Sequence, residues 1–231
     1  MNDTLSLFFP EKYGLDLKFI ANRYPINTPI FKSIKMVSDA IRFKHKGYKK
    51  PMTLYKFNIT CDINFKKCIN KIKHLLQKNR NNPDLYALAG LVYMYLTHWD
   101  KAYLSFKKAV YYKPDETIYL LLLAYLTRVK GIRSINFGQR REKLLEKMVK
   151  EKKGSADDIY WHLLTKYLPS KNQVKNFYYY FNEAMQIIYT ILSKVPNCKG
   201  ALELKHKLIN NKLYNYLIRH PKIRDDLIKI S

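Results

Sequence analysis

The sequence predicts an all-α fold of stacked antiparallel helix hairpins. Helical periodicity dominates the chain, and strand-like alternation between turn residues is nearly absent. Only seven glycines and nine prolines occur in 231 residues, so few connecting segments are rich in turn residues. Periodic segments alternate with short breakers at intervals typical of helix pairs. These observations together predict a stack of helix hairpins rather than a sheet-based fold.

Most of the predicted helices are separated from the next by residues that end helices. Proline lacks the backbone N–H that a helix interior requires, and glycine weakens a helix. The helices are predicted at residues 28–46, 62–79, 83–97, 100–113, 116–130, 138–153, 156–168, 173–195 and 198–219. The breakers are Pro51, the NNP at 81–83, Pro114, Gly131, Gly154, the LPS at 168–170, the VPN at 195–197 and Pro221.

The stretch 83–116 places small and aromatic residues at fixed intervals. Gly90 and Ala102 remove side-chain bulk where two helices must cross closely, and Phe106 fills the adjacent space. Ala102, Phe106 and Ala109 lie on one helical face, because they are spaced i, i+4 and i+7. The positions that follow this spacing are Tyr86, Ala89, Gly90, Tyr93, Ala102, Phe106, Ala109 and Pro114.

This spacing resembles the tetratricopeptide repeat, a thirty-four-residue helix hairpin. Tyr86 stands where the family usually has tryptophan, and Ala89 where it usually has leucine. The resemblance implies a right-handed superhelical solenoid with helical end caps, in which each hairpin contacts its neighbours. Pro114 would then mark the boundary between two units.

Weaker copies of the pattern flank this unit. The second helix of a preceding unit is predicted thirty-four residues before the second helix of this one. The first helix of that preceding unit would fall on the weakly helical, β-branched MTLYKFNIT at 52–60. Lengthened loops near 129–138 and 168–177 are predicted to account for the extra residues between this unit and a later copy of the pattern. The FYYYF run at 177–181 is interpreted as packing between units. The preceding copy uses Cys68, Ile72, Leu75 and Arg80, and the later one Ala184, Ile188, Ile191 and Pro196.

The pattern predicts three regions along the chain. Residues 1–50 match no repeat and are expected to cap the stack or to fill its groove. Residues 51–196 contain the repeats, and residues 197–231 form a capping helix and a tail. A cap is expected because an open end of a solenoid exposes apolar surface.

The resemblance also implies a concave groove lined by the first helix of each unit. Its positions here are uncharged and mostly apolar apart from Asp84 and Arg128, which favours an amphipathic helix or apolar peptide of another protein as the ligand. The alternative is that the chain's own TLSLFFPEKYGL at 4–15 fills the groove. The predicted groove residues are Ala87, Leu91, Met94, Ile118, Leu121, Tyr125 and Arg128.

The chain is strongly basic, with 43 Lys+Arg against 18 Asp+Glu and a formal net charge of +25. Such a charge attracts nucleic acid, anionic lipid or acidic proteins, although an AT-rich codon bias toward lysine is the alternative source. Two basic clusters are predicted either to be solvated surface or to contact RNA or an acidic protein. They comprise Arg42, Lys44, Lys46, Lys49 and Lys50, and Arg140, Lys143, Lys147 and Lys150.

Sequence motifs that carry catalysis are absent: there is no HExxH, no glycine-rich phosphate loop and no nucleophile elbow. Asp158 and His162 lie i, i+4 on a predicted helix and are interpreted as a solvent-facing pair. Cys61, Cys68 and Cys198 have no CxxC spacing, which indicates buried thiols in a reducing compartment. We therefore expect neither an enzyme nor a cofactor or metal.

The location expected from the sequence is cytoplasmic. The N-terminal residues lack a basic start and a small-residue cleavage site. The longest apolar run, IYLLLLAYL at 118–126, is much shorter than the ~20 residues that cross a bilayer. A position peripheral to a membrane-associated assembly is compatible with these features.

The expected function is a non-catalytic scaffold or adaptor that binds a helix or peptide of a partner protein in the groove. The alternative is an RNA-binding helical repeat that uses its basic faces. The bias toward Lys, Asn, Ile and Tyr is similar to that of AT-rich bacteria such as spirochaetes, in which small tetratricopeptide proteins help build the flagellar motor collar. Membership of such an assembly is one form of the scaffold hypothesis. The sequence specifies neither the partner nor an oligomeric state.

Overall fold

The structure is a computed structural model that describes residues 17–46, 54–134, 171–222 and 224–225. All regular elements in these ranges are α-helices, which confirms the all-α prediction for them. The helices predicted at 138–153 and 156–168 lie outside the described residues. The described helices are α1 Lys18–Ala21, α2 Pro29–Lys46, α3 Leu54–Lys78, α4 Pro83–Tyr95, α5 Trp99–Tyr112, α6 Thr117–Ser134, α7 Lys171–Lys194, α8 Lys199–Ile209 and α9 Lys212–Arg219.

Helices that follow one another along the chain pack against one another, from α1 to α9. Helix α2 also packs against α4, and α6 also packs against α8. The apolar side chains of these helices form one continuous buried cluster, from Leu17 to Leu217. Among the described helices, none is both long and apolar enough to cross a membrane.

Helix α3 begins at Leu54, eight residues earlier than predicted. From Leu54 onward, the segment predicted as a separate first helix at 52–60 is therefore part of α3. Helix α3 packs against α2. No glycine or proline lies between Leu54 and the predicted start, so nothing in the sequence ends the helix there. The buried stripe of α3 follows this extension at helical spacing and comprises Cys61, Phe65, Cys68, Ile72 and Leu75.

The α4–α5 hairpin contains the close helix crossing that the motif predicts. A Cβ atom added to Gly90 would lie 2.5 Å from Cε1 of Phe106, a distance at which atoms overlap. Between the helices, Thr97 has φ 60°. The His98 N–H then donates to the Tyr93 carbonyl and the Thr97 N–H to the Met94 carbonyl, both at 2.9 Å. These two bonds form a Schellman motif that ends α4.

Gly131 lies inside α6 and does not break it, contrary to prediction. The absent side chain makes room for α7, because a Cβ atom there would lie 2.6 Å from Cδ2 of Phe181. Although further helices are predicted between them, α6 and α7 pack directly along each other. Phe177 and Phe181 of the FYYYF run are buried, as the packing interpretation expects, while Tyr179 is exposed.

The predicted helix at 198–219 is two helices, α8 and α9, separated at Asn210 and Asn211. The Asn211 side chain accepts a hydrogen bond from the Tyr214 N–H at 3.1 Å, so it caps the second helix. Asparagine at such a position competes with helix continuation by bonding the backbone locally. The break lets α9 turn its buried Tyr214 and Leu217 toward the core.

Candidate functional site

The structure buries most of the positions predicted to form an apolar groove. On α4 the side chains at these positions have almost no exposed surface. Those that are buried are Ala87, Leu91, Met94 and Leu121, and those that are half-buried are Ile118, Tyr125 and Arg128. Along α4 this face is therefore not an open surface.

Residues just before α2 bind at the start of this face. Arg23 Nη1 lies 2.6 Å from Asp84 Oδ1, and the Tyr24 hydroxyl donates to Asp84 Oδ2 at 2.7 Å. Helix α2 also packs against α4. The chain's own N-terminal residues thus cover part of the predicted groove. The segment 4–15, named in the groove-filling alternative, lies outside the described residues.

Five side chains form a connected polar group that we call the Asp84 cluster: Arg23, Tyr24, Asp84, Glu116 and Tyr119. Arg23 Nη1 donates to the Tyr119 hydroxyl oxygen at 2.9 Å, and Tyr119 in turn donates to the Asp84 carboxylate. Nη2 of Arg23 pairs with Glu116. One guanidinium therefore joins the segment before α2 to the starts of both α4 and α6.

The local sequence NPD at 82–84 explains why Asp84 lies where it does. The Asn82 side chain accepts from the Leu85 N–H at 3.1 Å, and Pro83 occupies the first helical position. Asp84 follows in the first turn, where the positive end of the helix dipole stabilises a carboxylate. Asn82 Nδ2 also donates to the Tyr24 hydroxyl oxygen at 2.9 Å, so the cap and the cluster are one network.

The donors of the Asp84 cluster keep their protons well above neutral pH. Burial raises the pKa of Tyr24 to about 12, and its hydrogen bond to Asp84 acts in the same direction. The same two causes raise the pKa of Tyr119. Burial by itself would lower the pKa of Arg23, but Asp84, Tyr119 and Glu116 outweigh it and the pKa is raised. Arg23, Tyr24 and Tyr119 therefore keep their protons near pH 7.

The predicted basic clusters are only partly described. Arg42 is exposed, but Lys44 turns toward the chain's own aromatic side chains. Its Nζ lies 5.7 and 5.4 Å from the ring centroids of Phe65 and Tyr95, and donates to the Tyr95 carbonyl at 3.3 Å. The side chain of Lys46 and the residues Lys49, Lys50, Arg140, Lys143, Lys147 and Lys150 lie outside the described residues.

A surface with alternating aromatic rings and lysines lies along the outer seam between α4 and α5. We call it the aromatic–lysine surface, and it comprises Tyr86, Tyr93, Lys101, Lys108, Tyr111 and Tyr112. The ammonium of Lys108 lies 5.3 Å from the Tyr86 ring centroid, and that of Lys101 lies 6.0 Å from the Tyr93 centroid. Both lysines are exposed, and each sits over a tyrosine ring.

A second polar group joins α5 to α7. The Tyr103 hydroxyl donates to Glu183, with oxygen–oxygen distances of 2.7 and 2.8 Å, and Lys107 lies 3.3 Å from the same carboxylate. Lys130 of α6 lies 4.5 and 4.8 Å from the ring centroids of Tyr103 and Tyr180. These contacts hold α5, α6 and α7 together, so this group is part of the helix packing.

The thiols are placed as the sequence predicts in two of three cases: Cys61 and Cys68 are buried, and Cys198 is half-buried. Burial raises the pKa of Cys68 to about 11, so its reactive thiolate form is disfavoured at neutral pH. In the described ranges, no group of three or more His, Cys, Asp or Glu side chains lies close enough to hold a metal ion.

Sequence reasoning identified Asp84 as a groove position but not its partners. Arg23 and Tyr119 are 61 and 35 residues away from it, and no local pattern links residues at such separations. The NPD signature at 82–84 does signal a capped helix start with an acidic residue. The aromatic–lysine surface has a local signal as well, because Tyr86 and Tyr93, like Lys101 and Lys108, are seven residues apart.

Comparison with known proteins yields no relative: no family model matches the chain, and no curated protein or solved structure matches it. The likeness to tetratricopeptide repeats therefore depends on the spacing at 83–116 and on the helix crossing found there.

Proposed function

We propose that this chain is a non-catalytic interaction scaffold of the tetratricopeptide type, which binds a helix or peptide of a partner protein. The observation that carries the proposal is the α4–α5 hairpin, in which Gly90 and Phe106 make the close crossing that the repeat spacing requires. The contact of α2 with α4 is consistent with it, since an amphipathic helix of this chain already lies against the first helix of that unit.

Within this proposal, the partner contacts the part of the groove face that belongs to α6. The positions on α4 are buried, whereas Ile118, Tyr125 and Arg128 on α6 keep part of their surface exposed. Isoleucine and tyrosine offer apolar area to a helix. Membership of a larger assembly, such as a bacterial motor collar, is one setting in which this contact would serve.

The test is affinity capture from the source organism with nuclease treatment, followed by mass spectrometry. Ile118→Lys combined with Tyr125→Glu should remove a specific partner, because it places charges on the contact area. Leu104→Glu is the control, since Leu104 is an exposed apolar residue on α5. Circular dichroism must show unchanged helix content for both variants. A partner that survives the α6 double variant but is lost from the control would contradict the groove assignment.

The predicted basic clusters do not themselves favour the alternative of RNA binding. Lys44 is engaged with Phe65 and Tyr95, and most of the other members lie outside the described residues. The chemistry of a nucleic-acid ligand is matched instead by the outer face of the α4–α5 hairpin.

A further inference from the structure

We propose that the aromatic–lysine surface binds single-stranded RNA. This surface faces away from the predicted groove, so the inference is independent of the proposed protein partner. It depends on four properties of the described residues. These are a lysine–tyrosine pairing that occurs twice, one highly exposed tyrosine ring, lysines without a described carboxylate partner, and the hydroxyl groups of the tyrosines.

The geometry repeats once along the seam. Tyr86 and Tyr93 are seven residues apart on α4, and Lys108 and Lys101 are seven apart on the antiparallel α5. Each lysine therefore sits over one tyrosine, in two units about 10 Å apart along the helix axis. A repeated pairing of a cation with a ring suits a ligand that itself repeats, such as a nucleotide chain.

Three rings gather at one end of the seam. Tyr86 and Tyr112 are stacked, with centroids 5.6 Å apart and planes inclined by 17°. Tyr111 lies nearly perpendicular to Tyr112 at 5.2 Å, and its side chain is 78% exposed. Leaving a ring of this size in water forgoes the stabilisation that its burial would bring. An exposed ring beside a stacked pair is a surface on which a base can stack.

The cations of the surface are available to phosphates. Lys101 and Lys108 have no described carboxylate within ion-pair distance, unlike Lys107, Lys113 and Lys130, which pair with Glu183, Glu116 and Asp100. Earlier in the sequence, the end of α3 and the α3–α4 connection supply exposed Lys78 and Arg80, which help line an open pocket of about 650 Å³ formed by residues 77–82. Charge complementarity therefore favours a polyanion.

The tyrosine rings favour a single-stranded nucleic acid over other polyanions. An acidic peptide would match the lysines but leave the open tyrosine face without a partner, and a duplex keeps its bases stacked inside. A single strand offers both phosphates and free bases. The four tyrosines of this surface each carry a hydroxyl, which can exchange hydrogen bonds with a ribose 2′-OH, the group that distinguishes RNA from DNA.

The test is fluorescence anisotropy of a labelled uridine oligonucleotide of about twelve nucleotides, titrated with the full chain between about 50 and 200 mM salt. Lys101→Ala with Lys108→Ala should reduce the slope of log affinity against log salt by about 1.4, because each single-strand phosphate contact contributes about 0.7. Tyr111→Ala should weaken binding roughly tenfold with an unchanged slope, because it removes stacking and no charge.

A similar pairing of a lysine with a tyrosine, outside the aromatic–lysine surface, provides the matched control. Tyr189 is 52% exposed on α7, with the ammonium of Lys205 5.0 Å from its ring centroid. Tyr189→Ala and Lys205→Ala should leave the affinity and the salt slope close to wild type.

Several results would overturn the proposal. These are no binding at 50 mM salt, equal losses in the control pair, full affinity after Tyr111→Ala, or displacement of the RNA by polyglutamate as readily as by unlabelled RNA. Equal affinity for the matching DNA oligonucleotide would overturn the assignment to RNA.

Discussion

At the residue scale, one arginine contacts side chains that are far away in the sequence. Arg23 contacts Asp84, Glu116 and Tyr119, at sequence separations of 61, 93 and 96 residues. The Asp84 side chain is only 6% exposed, while that of Arg23 is 29% exposed. A carboxylate this deeply buried needs a positive partner, because an isolated buried charge is costly.

Asp84→Asn should lower the free energy of unfolding by about 2 kcal/mol. The amide keeps one acceptor oxygen, whereas Tyr24 and Tyr119 donate to different oxygens of the carboxylate. It also loses the charge that faces Arg23, and because Arg23 is partly exposed the loss is smaller than for a fully buried pair. Urea unfolding followed by circular dichroism measures the change. Asp100→Asn is the control: its carboxylate pairs with Lys130 but is 86% exposed, so its loss should stay within about 0.5 kcal/mol. Equal losses in the two variants would contradict the central role of the Asp84 cluster.

At the element scale, helix ends with a strong local signal were predicted best. The predicted 83–97 and 100–113 correspond to α4 Pro83–Tyr95 and α5 Trp99–Tyr112, because Asn82, Pro83 and Pro114 define their limits. The start of α3 differs from the prediction because residues 54–61, although partly β-branched, contain no glycine or proline that would end the helix. The break before α9 was missed because asparagine caps a helix without being a strong breaker.

The close crossing within the α4–α5 hairpin gives a prediction at this scale. Gly90→Ala should destabilise the chain by about 1–3 kcal/mol, because the new methyl group overlaps the Phe106 ring. Phe106→Leu in the same chain should recover part of the loss, since leucine lacks the ring atoms that the methyl group meets. A double-mutant cycle by thermal or urea unfolding measures this coupling. Strict additivity of the two changes would mean that the crossing is not the cause.

The candidate sites show the same division between local and distant signals. The seven-residue spacing of tyrosines and lysines on α4 and α5 is visible in the sequence, and only the antiparallel pairing had to come from the structure. The groove positions were predicted from repeat spacing, but their coverage depends on how α2 and Arg23 dock. That docking depends on tertiary contacts, which leave no periodic pattern in the sequence.

At the scale of the whole molecule, buried tyrosine hydroxyls link several parts of the helix stack. The Tyr24 and Tyr119 hydroxyls join the N-terminal segment to α4 and α6, Tyr103 joins α5 to α7, and Tyr214 of α9 donates to Asn182 of α7 at 2.8 Å. Burial raises the pKa of Tyr24 and of Tyr214 to about 12 from an ordinary value of 10. The folded chain therefore holds these protons more tightly than the unfolded chain.

The stability contributed by these hydroxyls should be fully present below pH 10 and should fall as pH rises toward 12. A raised folded-state pKa has this sign, because ionisation is easier in the unfolded chain. Urea unfolding across this range, with tyrosinate absorbance recorded in parallel, measures both effects. Tyr24→Phe has no proton to lose at that position and should show a smaller alkaline decline than wild type. An identical decline in both proteins would assign the effect to other groups.

The Asp84 cluster also has a consequence for how the chain is made. During synthesis Arg23 is translated 96 residues before Tyr119, an interval of roughly 5–20 s at ordinary translation rates. Until the end of that interval the N-terminal segment has Asn82 and Asp84 as partners but lacks Glu116 and Tyr119. Its final position therefore depends on residues made much later, and translation up to the first turn of α6 sets the earliest moment at which the N-terminal helices can dock completely.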